Sequence, residues 1–210
     1  MIKDPTIIMT PVSFITKIKK MQYRRQLPAI GVVFLGIVLP YWFPGAGFLF
    51  YPALVIAIAG VIWHMWIWGN FRFNNKIAVP PADDILSPVE GKLKFVRRSQ
   101  DITLINITKS FLDVVEIRSP HTRTILEDEM LKLHLDMGTI TFRFNAEHIH
   151  WLDEPDFASG NVIGMIHGPA TCTITLPTGM ETALQAPHLI HAGITMITTV
   201  KGEPRSITIG

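Results

Sequence analysis

"LPAIGVVFLGIVLPYWFPGAGFLFYPALVIAIAGVIWHMWIWG", residues 27–69, contains no Lys, Arg, Asp or Glu. A helix needs roughly 20 apolar residues to cross about 30 Å of hydrocarbon. The stretch holds two segments near that length, 27–43 and 47–68, with Pro44 and the glycines around it between them. Proline beside glycine is turn chemistry. Two helices joined so tightly run antiparallel, so both ends leave on one side. Tyr41, Trp42, Trp63, Trp66 and Trp68 lie near the segment ends, where amphipathic rings favour the membrane interface. The reading is a transmembrane helical hairpin over 27–69. A cleaved signal peptide fits poorly, because the run is double and too long. A hairpin buried in a soluble core is the plainer alternative.

Outward from the hairpin, charge is distributed unevenly. Residues 1–26 carry six Lys or Arg against one acid, whereas residues 70–210 carry thirteen against sixteen, within a net charge of +2. The basic excess therefore adjoins the apolar run. Lys17, Lys19, Lys20, Arg24 and Arg25 precede it, and Val12, Ile15, Ile18 and, less well, Tyr23 approximate helical spacing among them, a disordered basic tail being the plainer alternative. Residues 1–26 read as a basic amphipathic segment on a membrane surface, attracted to anionic headgroups. Basic flanks mark the cytoplasmic side, so the hairpin's two ends and the domain after it are expected on the cytoplasmic face of an inner or plasma membrane. Nucleic acid is disfavoured as a partner, because the large domain has no basic excess. One cysteine, Cys172, excludes a disulfide framework within the chain.

Beyond a proline-rich linker over 70–84, the texture alternates. "KLKFV" (92–96), "DITLINI" (101–107), "DVVEIR" (113–118), "KLHLDM" (132–137), "TITFRFN" (139–145), "TCTITL" (171–176), "TMITTV" (195–200) and "SITI" (206–209) all have period two or high β-branched content. That is strand patterning. The close spacing of the runs predicts a mainly β domain over 85–210, a compact barrel or sandwich. "TILEDEML" (124–131) reads as a short helical turn or a solvated loop. "ILSPVEGKLKFV", "DFASGNVIGMI" and "APHLIHAGITMI" each set a turn glycine between aliphatic pairs, a pattern of hammerhead, lipoyl-like folds. Lys92 begins a strand rather than occupying a modifiable turn, so a carrier function is rejected.

Four phrases carry a more specific resemblance. They are "WGNFRFNNKIAVPPADDILSPVEGKL" (68–93), "FLDVVEIRSP" (111–120), "GMIHGPATCTITLP" (164–177) and "LQAPHLIHAGITMI" (184–197). In this order, after an apolar hairpin, they resemble the short, membrane-hairpin type of phosphatidylserine decarboxylase. The resemblance implies a self-processing reaction. A serine hydroxyl attacks the preceding glycine carbonyl, the ester eliminates, and a pyruvoyl group remains as the electron sink for decarboxylation. An aspartate and a histidine assist.

Carried over residue by residue, the aspartate falls at Glu90, the histidine at Val115, the glycine at Pro169 and the serine at Ala170. The resemblance thus implies the scaffold with its reactive groups replaced. Thr171 and Cys172 are the possible substitute nucleophiles. Cys172 keeps the side-chain direction of Ala170 on an extended strand but is displaced by roughly 6–7 Å. Glu90, Arg118 and His167 are expected to line a remnant ligand pocket, with Arg118 pairing Glu90 or a phosphate. His148 and His150, at i and i+2, are weak metal candidates that Glu147, Asp153, His188 or His191 would have to complete.

The functional expectation is a membrane-anchored, non-catalytic decarboxylase-like protein, an accessory subunit or lipid-binding scaffold without a cofactor. Its expected partners are membrane lipids with anionic headgroups, together with other membrane subunits or further copies of itself. One alternative is an active pyruvoyl enzyme using an unusual residue. Another is a β-sandwich adaptor for protein contacts.

Overall fold

The computed structural model describes residues 6–43, 47–80 and 83–200. The chain divides into two compact units, an all-helical one over Val12–Arg72 and a β unit formed by the residues on either side of it.

The helical unit contains α1 (Val12–Trp42) and α2 (Phe50–Gly69), with a 3₁₀ turn at Gly47–Leu49 leading into α2. The basic stretch and the first apolar segment are one continuous helix, with Pro28 and Pro40 inside it. Both helices are long and apolar enough to cross a membrane, and only 11 % of each apolar window is buried. Such low burial disfavours the soluble-core alternative, in which most of each helix would be covered. Small residues make the contact between the helices. A Cβ on Gly36 would lie 2.6 Å from Ala57 N and 2.7 Å from Ala53 O, and one on Gly60 would lie 2.7 Å from Val33 Cγ2. This close backbone approach is how helices associate where lipid removes the hydrophobic drive. Phe34, Leu35, Ile37, Val55, Ile58 and Ile62 face outward. At the end of α2, Asn70 Nδ2 donates to Trp66 O at 2.8 Å, satisfying a terminal carbonyl. Of the basic residues on α1, Lys19, Lys20, Arg24 and Arg25 are exposed and Lys17 is half-buried. The Arg25 guanidinium lies 5.8 Å over the Phe71 ring, within cation–π range.

The β unit holds β1 (Thr6–Met9), β2 (Lys76–Val79), β3 (Asp84–Leu86), β4 (Gly91–Arg98), β5 (Ile102–Lys109), β6 (Glu116–Arg118), β7 (Thr124–Glu127), β8 (Met130–Leu135), β9 (Gly138–Trp151), β10 (Val162–Pro177), β11 (His188–Ile190) and β12 (Met196–Thr199). The main sheet runs β11-β4-β5-β10-β9-β8-β7, and β6 also pairs β10. All pairs are antiparallel. Two-stranded ladders β1–β2 and β3–β12 accompany it. Inward-facing residues at alternate positions build the core: Leu93, Ile105, Ile107, Leu131, Leu133, Ile140, Phe142, Cys172 and Ile174. The polar partners Thr108 and Asn106 alternate with them on β5, the half-buried signature of a one-sided sheet.

Several expectations need revision. The sheet ends at β7 and β11 among the described residues, so it does not close into a barrel. "TILEDEML" is a hairpin, β7–β8, turned by Asp128 (φ 50) and Glu129 (φ 61). Two consecutive residues at positive φ match the twist of a two-residue hairpin. The stretch 70–84 is not simply a linker, because β2 pairs there with β1 in the register Thr6↔Val79. The first described residues thus join the β unit. The "SITI" strand lies outside the described residues.

Candidate functional site

The pairing of β4, β5 and β10 brings the start of β4 and the end of β5 beside the middle of β10. Gly91 opens β4 against Thr108, where a Cβ would lie 2.5 Å from the Thr108 carbonyl oxygen. Only glycine permits that approach, and it fixes Glu90 at the mouth of the strand. Lys109 ends β5 directly opposite Ala170 on β10. On the other side of β10 the register with β9 slips between His167 and Ala170. One extra residue is accommodated there, with Gly168 at φ +79, the hallmark of a β-bulge.

The bulge is held from beneath by a buried ammonium. Lys109, 1 % exposed, donates from Nζ to the carbonyls of Ser110 (3.1 Å), Asp113 (3.3 Å) and Gly168 (3.3 Å). An ammonium has three donors, and three carbonyls meet them. Burial pulls the Lys109 amine below the ordinary lysine range, while the charges of Asp113 and Glu90 oppose that shift. Lys109 escaped the sequence reading, although a signal was present. It falls on the inward parity of β5, in phase with Thr103, Ile105 and Ile107.

Glu90 Oε2 lies 3.5 Å from His191 Nδ1. Val115 is fully buried, and its carbonyl accepts from Ile166 N at 2.7 Å. Ala170 sits in the hydrophobic core, 8 % exposed. Cys172 shares that core between its register partners Ile107 and Phe144. Burial pushes its thiol far up, away from the reactive thiolate. Thr171 stands on the opposite parity, between Thr108 and Asn145. Of the three, Ala170 carries no nucleophilic atom, the Cys172 thiol is buried, and Thr171 is half-buried on the other parity.

Arg118 does not pair with Glu90. It forms a fully buried ion pair with Glu116, Nε to Oε1 at 2.8 Å. Its Nη1 donates to Gly160 O at 2.9 Å, and its Nη2 to Thr10 Oγ1 at 3.1 Å and Asn74 O at 3.0 Å. Asn74 N donates in turn to Glu116 Oε2 at 3.0 Å. The guanidinium is occupied in clamping β6 to the segments around residues 10, 74 and 160, leaving little of it for a phosphate. Burial raises the Glu116 carboxyl, and Arg118 pulls it back. His167 is buried on β10, with its ring 5.8 Å from that of His150. His148 is the Cα partner of His167, and its Nε2 lies 3.8 Å from Glu147. Among the described residues no group of three His, Cys, Asp or Glu is gathered to hold a metal ion.

Two open clefts flank β4. One, of about 550 Å³, is lined by Lys92, Leu93, Lys94, Thr108, Ser110, Asp113, Pro187 and Leu189. The other, of about 590 Å³, lies around Lys94, Phe95 and Arg98. Neither of these two clefts is lined by Glu90, Arg118 or His167. No protein-family model, curated protein or solved structure matches the chain.

Proposed function

We propose that the chain is a membrane-anchored, non-catalytic relative of the short phosphatidylserine decarboxylases. It serves as an accessory subunit of a membrane complex or as a lipid-binding scaffold, with its hammerhead-like β unit on the cytoplasmic side. The observation that carries this reading is the Ala170 methyl, buried in the core opposite Lys109. Self-processing in the family begins with an oxygen at this position, and a methyl group supplies none. The residues around it do not fit a pyruvoyl group either. Thr171 faces the other way, Cys172 is packed among core side chains, and Val115 cannot transfer a proton. The loss removes the reaction path rather than slowing it.

The anchor follows from two helices of membrane-spanning length and composition, and the orientation from the basic residues of α1. Membranes enriched in the chain should release no more CO₂ from carboxyl-labelled phosphatidylserine than membranes lacking it. Purification in mild detergent should recover the full-length chain with a partner subunit or lipid. Release of CO₂ that scales with the amount of chain would overturn the reading.

A further inference from the structure

Phe111 and Leu112, adjacent and 39 % and 51 % exposed, stand at the tip of the turn between β5 and β6. The turn is rigidly built. Ser110 N donates to Asp113 Oδ2 at 2.6 Å, and Leu112 N to Ser110 Oγ at 3.2 Å. From below, the Lys109 ammonium holds the carbonyls of Ser110 and Asp113. A turn fixed this way cannot fold its apolar tip back into the core, so the exposure is part of the design. Ser110 and Asp113 also line the cleft of about 550 Å³, together with Lys92, Lys94 and Leu189. Leu189 is 55 % exposed and is the register partner of Lys92. Apolar tips and two lysines therefore share one surface, and the Asp113 carboxylate there is already engaged by a backbone N–H.

We infer that this surface docks onto the interface of a bilayer containing anionic lipid. Phe111 and Leu112 enter the headgroup region, and Lys92 and Lys94 face the lipid phosphates. The inference rests on the membrane-anchored reading above and names the surface by which the β unit would engage lipid. Three features favour a bilayer as the occupant. Exposed apolar side chains beside lysines are the composition of interfacial membrane binding. Lysine is depleted from protein–protein interfaces, which argues against a protein partner here. Six residues separate Gly69 at the end of α2 from Lys76 at the start of β2. That link spans at most about 25 Å, so a bilayer holding α2 lies within reach of the β unit.

The test uses the full chain in vesicles of phosphatidylcholine with or without phosphatidylglycerol, each carrying a nitroxide-headgroup lipid. An environment-sensitive fluorophore is attached at Leu112→Cys or Phe111→Cys, and for comparison at Asp128→Cys on the exposed β7–β8 turn. The unsubstituted chain sets the background labelling from buried Cys172. In phosphatidylglycerol vesicles, quenching at 111 and 112 should exceed that at 128. Lys92→Glu with Lys94→Glu should lower the docked-to-undocked ratio about fivefold per lysine. Equal quenching at 112 and 128 in a chain that floats with carbonate-washed vesicles would overturn the inference alone. So would quenching at 112 that ignores both the lysines and the anionic lipid. A chain that does not float would overturn the anchoring reading itself, and the docking inference with it.

Discussion

Lys109 stands opposite Ala170 across the β5–β10 ladder, and its ammonium reaches the Gly168 carbonyl at 3.3 Å. The bulge in the middle of β10, where the resemblance puts self-processing, is thereby held by a buried charge. Lys109→Met should leave the carbonyls of Ser110, Asp113 and Gly168 without their donor. Ser110 is exposed and Asp113 and Gly168 are half-buried, so water meets part of the loss and the thermal midpoint in detergent should fall by less than the full cost of about 1–3 kcal/mol per unmet buried group. The pH dependence has a definite sign. The folded-state pKa of Lys109 is lowered from 10.5, so the unfolded chain binds more protons between the two values. Stability relative to the Met variant should rise with pH across that window and level off below it. A parallel pH course for both proteins would contradict this.

The Glu116–Arg118 pair should be far more sensitive than any surface pair. Arg118→Met leaves a buried carboxylate uncompensated, a loss of roughly 3–5 kcal/mol. It also removes the bonds to Thr10, Asn74 and Gly160. Amide exchange should therefore quicken in β1 and β2, while the β8–β9 ladder changes less. Glu116 carries the opposite pH signature to Lys109. Its folded pKa is raised above 4.5, so its favourable contribution is present at acid pH. It is lost as pH rises through the folded value, and Glu116→Gln should flatten that dependence.

Ala170→Ser places a hydroxyl where the resemblance expects one, without the partners the resemblance implies. With Pro169 before it and Val115 in place of a proton-transferring group, the variant should remain a single chain on a denaturing gel. Appearance of two fragments would show that the surroundings support self-cleavage once a nucleophile is supplied.

Cys172 should resist maleimide at neutral pH in the folded protein and react promptly once the chain is denatured. Its thiol is buried, 1 % exposed, and pushed far up from the ordinary value. Fast labelling of the native chain would reopen the cysteine as a substitute nucleophile.

Within the helical unit, Gly36→Val would drive a side chain into the backbone of Ala57. Overpacking of that kind costs about 1–3 kcal/mol. Gly31→Ala, with no atom within 4 Å of its added Cβ, should stabilise the helix by about 0.5–1 kcal/mol. Thermal unfolding in detergent separates the two.

The helical hairpin was legible because 43 uncharged residues leave few alternatives. The core strands were legible because Ile105, Ile107, Cys172 and Ile174 keep strict alternation. Long-range polar contacts were not. Arg118 meets Thr10, Asn74 and Gly160 across 108, 44 and 42 residues, and no local pattern announces such a clamp. "IRSP" therefore suggested an anion site where the fold uses a pillar. The β7–β8 hairpin was misread because Asp128-Glu129 lacks the usual glycine or asparagine. Its strands nonetheless close around it, with Lys132 bridging Glu127 at 2.9 Å. The resemblance singled out Glu90, Val115 and Ala170, and the structure adds Lys109, opposite Ala170 on the β5–β10 ladder. That buried amine could have been read from strand parity, and was missed because lysine is ordinarily a surface residue.

The most direct measurement is the intact mass of the chain isolated from its native membrane, with parallel treatment by hydrazine. The account predicts one uncut polypeptide, continuous across residues 168–172, that gains no hydrazone. Two polypeptides divided near residues 168–172, the second blocked by a ketoacyl group, would contradict it.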